Sequence, residues 1–340
     1  MSVTLDVAPA AYKLCSDIMK IKKGEQVAIM ADSGSDPLVV NATAEACAIL
    51  GAKPTIVWYP MTPKVTMDPT PPAIAAMNTA DVVIEFCASY FFYGKAYEEM
   101  DASGKTRYLC LTGMNAASMI RSIGKIDVQK TVEFGDEFVR VVKAADEIHI
   151  TTDAGTDLVA NNRGRKVYQT GGIATQPGTY MLIGQVAWNP VEETMNGTIA
   201  VDGWEWNVGF IDTPIKLSVK AGRITDITGG REAKIFSSWL SNFNDPNMYR
   251  IAHYAYGINP GILKLTGTQN DDERIFGTIT FGVGTQGKLI GGPTWKAAAH
   301  DDMGILNPTV TLDKEPMEVE GKFVHPKLKA LCKGMGIPGY

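Results

Sequence analysis

The order of residues predicts an α/β N-terminal domain with a mainly parallel sheet, followed by a β-rich α+β domain that carries a metal site. Three observations lead there. Short apolar runs alternate with helical segments through the first half of the chain. From about Glu147 the pattern turns to short strands and tight turns. Two of only four histidines, His253 and His300, stand in a glycine-rich stretch beside Asp301 and Asp302.

The run Gln26 to Ala31 (QVAIMA) reads as a buried strand. It ends in Asp32-Ser33-Gly34-Ser35-Asp36-Pro37, a turn and helix start with Ser35 or Asp36 as the cap and proline at the first helical position. That helix is expected from Pro37 to about Leu50, closing at Gly51, with a second strand from Pro54 to Trp58. Pro71 to Thr79 reads as helix, and Asp81 to Phe86 and Tyr108 to Thr112 as further strands. Strands separated by helical segments imply right-handed crossovers and a parallel sheet. The Asp32 to Asp36 loop has one glycine where a dinucleotide fingerprint needs three, and no Walker sequence occurs, so nucleotide chemistry has no support.

Past residue 145 the texture changes, which places a domain boundary there: 1–145 as the α/β domain and 146–340 as the β-rich one. Glu147 to Thr152 alternates. Val186 to Asp202 contains Asn196-Gly197, the signature of a two-residue hairpin, and Asp202-Gly203 closes the next turn. Lys216 to Lys220 and Arg223 to Ile227 form another hairpin about Ala221-Gly222, and a helix is expected from Arg231 to Asn242. Ala252 to Asp302 reads as loop-rich, its glycines permitting close approach of backbone to a ligand or metal.

Composition narrows the function classes. A formal charge of -5 with both signs intermixed leaves no basic stripe for nucleic acid. Five scattered cysteines, an odd number without a C-x-x-C pair, fit thiols kept reduced in a cytoplasm. No run of eighteen apolar residues and no leader-like N-terminus occurs, so neither membrane insertion nor export is expected.

Residues two apart on an extended strand point to one face, so His300 and Asp302 can present an imidazole and a carboxylate side by side. With His253 they form a two-histidine, one-carboxylate set, which suits non-haem Fe(II) and leaves positions open for substrate and O2. The same donors occur in catalytic zinc sites, and residue types alone leave the two metals open. His149, in the middle of an alternating strand, reads as a packed, hydrogen-bonded histidine, and His325 as the entry to a terminal helix.

Ala252-His253-Tyr254-Ala255-Tyr256-Gly257-Ile258-Asn259-Pro260, then Asp272-Glu273-Arg274-Ile275-Phe276-Gly277-Thr278, then Gly291-Gly292 and His300-Asp301-Asp302 resemble the metal-binding domain of the aminopeptidase T family. The resemblance extends over most of the chain and implies that fold. Where those peptidases carry a metal-binding glutamate before the G-x-N-P turn, this chain has His253. Where they carry a histidine after the D-E-x-x-x-G-T segment, it has Thr280. Too few donors remain for a bridged metal pair.

The altered pattern is similar to the 2,5-dihydroxypyridine 5,6-dioxygenase family, relatives that bind one Fe(II) and open a hydroxylated pyridine ring with O2. The resemblance implies Fe(II) on His253, His300 and Asp302, a small aromatic or N-heterocyclic substrate, and a homo-oligomer. Those relatives carry further histidines in the N-terminal domain and near the segment that here reads Pro177-Gly178-Thr179-Tyr180, and this chain has none. Acid–base work would fall to Tyr180, Tyr254, Glu273 or Asp301, with Glu273 also a partner for a ligand histidine. Trp188, Trp204 and Trp206 are candidates to stack on a flat ring or to pack in the core. An aminopeptidase-like metallohydrolase and a non-catalytic small-molecule or metal-binding protein are the alternative readings.

Overall fold

The computed structural model describes residues 3–340. Its contacts divide the chain into two compact units, Met1–Val132 with Thr170–Ile183, and Glu133–Gln169 with Gly184–Tyr340. The change of sequence texture puts one cut at 145/146, whereas this division assigns 133–145 to the second unit and returns 170–183 to the first.

The first unit is an α/β layer structure around a five-stranded sheet in the order Lys53–Tyr59, Gln26–Asp32, Val82–Glu85, Arg107–Cys110, Gly178–Met181, parallel throughout. Apolar residues such as Val27, Ile29, Val82, Ile84 and Leu109 are buried against Val39 and Val40 of the helix Pro37–Ile49 and Val7 of the helix Val3–Lys13. Asp36 caps Pro37–Ile49 by accepting the Leu38 amide at 2.9 Å, as the proline-led start requires. The N-terminal helix and the edge strand Gly178–Met181 have no counterpart in the reading of the sequence. All five cysteines are free and buried.

Two antiparallel sheets make the second unit. One has eight strands, in the order Arg223–Thr228, Ile215–Lys220, Val191–Val201, Asp157–Asn161, Glu147–Thr151, Thr309–Leu312, Glu315–Val319, Lys322–Phe323. The other has seven: Gly209–Phe210, Trp204–Glu205, Trp295–Ile305, Thr278–Gln286, Ile251–Gly257, Gln185–Trp188, Val167–Gln169. Both sheets contribute to one apolar core, joined by Phe134, Phe138 and Val142 of the helix Val128–Lys143 and by Phe236 and Leu240 of Arg231–Asn242. Trp188 stacks on Tyr256 within it, with ring centroids 6.1 Å apart, so this tryptophan is a packing residue.

Two local expectations fail. Asn196-Gly197 does not turn the chain: it lies inside the eleven-residue strand Val191–Val201, paired to Leu158 on one side and Val219 on the other. Gly197 is needed there because the Asp157 carbonyl occupies the space of a Cβ and φ is +134°. Much of Ala252 to Asp302 is strand rather than loop, and several of its glycines serve close packing within a sheet. Among the described residues no helix is long and apolar enough to cross a membrane.

Glu318, fully buried, accepts the Tyr256 hydroxyl at 2.7 Å on one oxygen, and its other oxygen has no partner. Burial outweighs that hydrogen bond and raises the carboxyl well above its ordinary range. The folded chain therefore holds a proton that the unfolded chain releases. This contribution is complete below the unfolded carboxyl value of about 4.3 and is lost as pH rises toward the folded value. Glu318→Gln is expected to remove that part of the decline, so denaturant midpoints of the variant should gain on the parent from pH 5 upward. Parallel profiles would show the carboxyl to be ionised in the fold.

Candidate metal centre

In the seven-stranded sheet His253 pairs with Gly282, and Gly282 pairs with Asp302. His253 and Asp302 thus lie on either side of a glycine on the same face, and His300 is one pleat before Asp302 on its strand. The opposite face carries Tyr254, Phe281 and Met303, all in the apolar core. Strand alternation alone separates a polar side from a greasy one.

Three donor atoms converge on that polar side. His253 Nε2 is 3.3 Å from His300 Nε2 and 3.3 Å from Asp302 Oδ1, and His300 Nε2 is 3.2 Å from Asp302 Oδ2. This is the set among the described residues whose donor atoms are grouped closely enough to hold a metal ion. Edges of this length are what donors adopt when they share one ion at about 2.1 Å each. Asp302 Oδ1 is buried without a hydrogen-bond partner, as a metal-directed oxygen would be.

Local backbone features aim these side chains. A Cβ at Gly282 would run into the His253 ring, so glycine lets that imidazole lie flat across the neighbouring strand. The pairing of Thr278–Gln286 with Trp295–Ile305 shifts between Gly284 and Gln286. At that irregularity the Thr285 carbonyl lies 2.8 Å from His300 Nδ1. A carbonyl only accepts, so His300 carries its proton on Nδ1 and leaves Nε2 as a lone-pair donor. Thr285 is itself braced by the Ala297 amide, which donates to its hydroxyl at 2.9 Å.

The charges within the set are interdependent. Burial, with His300 beside it, brings His253 down to about 4 despite Asp302, so its imidazole is neutral. Burial also acts to lower His300, but Asp302 and the Thr285 carbonyl outweigh it and the net shift is upward. Burial acts to raise Asp302, and the two imidazoles outweigh that, so its carboxylate is held below the usual range. Glu273 is pushed up to about 7 by burial first and by the Asp302 charge second, although Arg274 Nη1 donates to its Oε2 at 3.1 Å. A buried carboxyl near neutrality within the field of Asp302 can both take and give a proton.

The other expected site residues are distributed differently. Tyr254 points into the core against Trp188 and Phe281, on the face opposite the metal set. Asp301 is likewise turned away by alternation, where Asn207 Nδ2 donates to its Oδ2 at 2.7 Å and to Glu205 Oε1 at 3.0 Å. Tyr180 belongs to the first unit, on Gly178–Met181, and its hydroxyl donates to the Gln176 carbonyl at 2.9 Å. His149 pairs with Asp157 at 2.7 Å, and His325 stands at the cap of the helix Pro326–Met335. Trp204 lies over Gly304, on the metal side. The reading of the sequence gave no role to Gly282 or Thr285, whose contributions are a missing side chain and a backbone carbonyl.

With this geometry in place, similarity to known proteins is informative. The chain is 25% identical over 342 residues to the 2,5-dihydroxypyridine 5,6-dioxygenase of Pseudomonas putida KT2440, covering 91% of this chain and 94% of that one. Its fold is similar to the solved 2,5-dihydroxypyridine dioxygenase from the same organism, with TM-score 0.80 and 23% identity over 97% of this chain and 99% of that one. It is also similar to AmpT from Thermus thermophilus, with TM-score 0.69 and 13% identity over 95% and 100% of the two chains. The sequence model of the NicX family, described as 2,5-dihydroxypyridine 5,6-dioxygenase, matches residues 8–325. The chain therefore belongs to the 2,5-dihydroxypyridine 5,6-dioxygenase family.

Proposed function

We propose that this protein is an Fe(II)-dependent ring-cleaving dioxygenase that uses O2 to open a small hydroxylated N-heteroaromatic such as a dihydroxypyridine, with His253, His300 and Asp302 holding the metal. The observation that carries this reading is the triangle of two imidazole nitrogens and one carboxylate with edges of 3.2 to 3.3 Å. Two histidines and one carboxylate on one side of an ion suit ferrous iron and leave neighbouring positions free for two reactants. Bound there, the metal would supply the electronic route by which O2 reacts with an electron-rich ring.

The chain's own residues do the rest. Asp302 supplies the negative charge that favours a cation, and His253, neutral down to about pH 4, needs no deprotonation before it ligates. His300 is oriented by the Thr285 carbonyl, which holds its Nδ1 proton and leaves the Nε2 lone pair facing Asp302 and His253. Glu273, at about 7, accepts a proton from the substrate's ring hydroxyl or nitrogen and returns it after the ring has opened.

Two tests address this reading. Protein reconstituted anaerobically with Fe(II) should hold about one iron per chain by elemental analysis and consume O2 with 2,5-dihydroxypyridine. His253→Ala, His300→Ala and Asp302→Ala should each lose the iron, and Gly282→Ala should weaken retention by displacing the His253 ring. Zinc-loaded protein should consume none, whereas cleavage of aminoacyl anilides by it would favour a hydrolase. Glu273→Gln should keep its iron while kcat falls by roughly 10²- to 10⁴-fold. Its kcat/KM should also lose the rise with pH that the parent displays near pH 7. An unchanged profile would move the proton-transfer role elsewhere.

A further inference from the structure

The metal face of the seven-stranded sheet has a second row, one pleat along from His253, Gly282 and Asp302. Pairing register assembles it from six strands: Tyr168, Ala187, Ala255, Thr280, Gly304 and Trp204 follow one another across the sheet. Its middle is small. Ala187, Ala255 and Gly304 raise at most a methyl above the backbone, while aromatic residues stand at both ends. On the His253 side Ile290 packs against Ala187, Ala255 and Tyr168. On the Asp302 side the Trp204 indole covers Gly304 so closely that a Cβ there would collide with its ring nitrogen.

Between these walls lies Thr280. Its hydroxyl is buried and has no hydrogen-bond partner, and its lateral neighbours Ala255 and Gly304 offer none from their side chains. An unpaired hydroxyl out of water is costly, and a core that needed only volume would use valine, which has the same shape. Two residues along a strand span about 7 Å, so this hydroxyl stands about one six-membered ring away from the metal row.

We propose that Thr280 is a specificity-determining residue whose hydroxyl hydrogen-bonds a polar atom of the ring substrate, at the middle of a row bounded by Ile290 on one side and Trp204 on the other. The inference rests on the ring-cleavage reading and adds the place on the protein where the ring lies. A site built to pair a polar ring atom discriminates against rings that lack it, because the hydroxyl is then left unpaired. Ile290 and Trp204 bound the row on either side of Thr280.

The test is equilibrium binding of 2,5-dihydroxypyridine to metal-loaded full-length protein without O2, followed calorimetrically for the parent, Thr280→Val and Thr280→Ser. Thr280→Val should bind about tenfold more weakly with its metal content unchanged, and Thr280→Ser, which keeps the hydroxyl, should stay within about threefold of the parent. Equal affinity of the valine variant and the parent would overturn the proposal, and so would serine behaving like valine. O2 uptake is measured separately on the same samples. Binding that depends on the hydroxyl without O2 uptake would sink the dioxygenase reading and leave this one standing. O2 uptake with binding indifferent to the hydroxyl would do the reverse.

Discussion

Pairing register in the seven-stranded sheet is the constraint from which the polar site follows. Side chains alternate at every residue, so a slip of one position on the His253 strand would send the imidazole into the core and bring Tyr254 out. The greasy side resists that slip. Tyr254, Tyr256, Phe281, Met303 and Ile305 are all fully buried there, and moving any of them to the polar side would forfeit its packing. Core and site are therefore two faces of one decision, and the candidate donors inherit their precision from apolar residues that never touch them.

The electrostatics follow from that rigidity. Two imidazoles and a carboxylate are brought within 3.3 Å of one another in a poorly hydrated place. There burial outweighs Asp302 at His253 and lowers its affinity for a proton, while at His300 Asp302 and the Thr285 carbonyl outweigh burial and raise it. A divalent cation there would engage both nitrogens and the carboxylate together. Behind the strand, Asp301 and Glu205 share the Asn207 amide, and burial together with Glu205 raises Asp301.

Much of this was legible in the sequence. The strands and helices read from local signals in the first half appear within a residue or two of where apolar runs, Asp36-Pro37 and Gly51 put them, whereas the helices Val3–Lys13, Lys95–Ala102 and Val128–Lys143 were not read. His300 and Asp302 fall on one face because a period of two needs no tertiary information. Asn196-Gly197 misled because the dipeptide that favours a turn also suits a strand whose neighbour presses a carbonyl against it. Tyr254 and Asp301 were attractive by proximity in sequence, but adjacency on a strand means opposite faces. The contributions of Gly282, Thr285 and Thr280 depend on which strand lies beside which, and no local pattern encodes that.

The edge strand Gly178–Met181 has a bearing on biosynthesis. It completes the parallel sheet only after the chain has passed through Glu133–Gln169, which belongs to the other unit. A ribosome must therefore deliver some fifty residues beyond Val132 before the first sheet can close, and until then the Arg107–Cys110 strand has an uncovered rim. The two halves mature in an interleaved order rather than one after the other, and a fragment cut at residue 132 would retain that open rim and invite self-association.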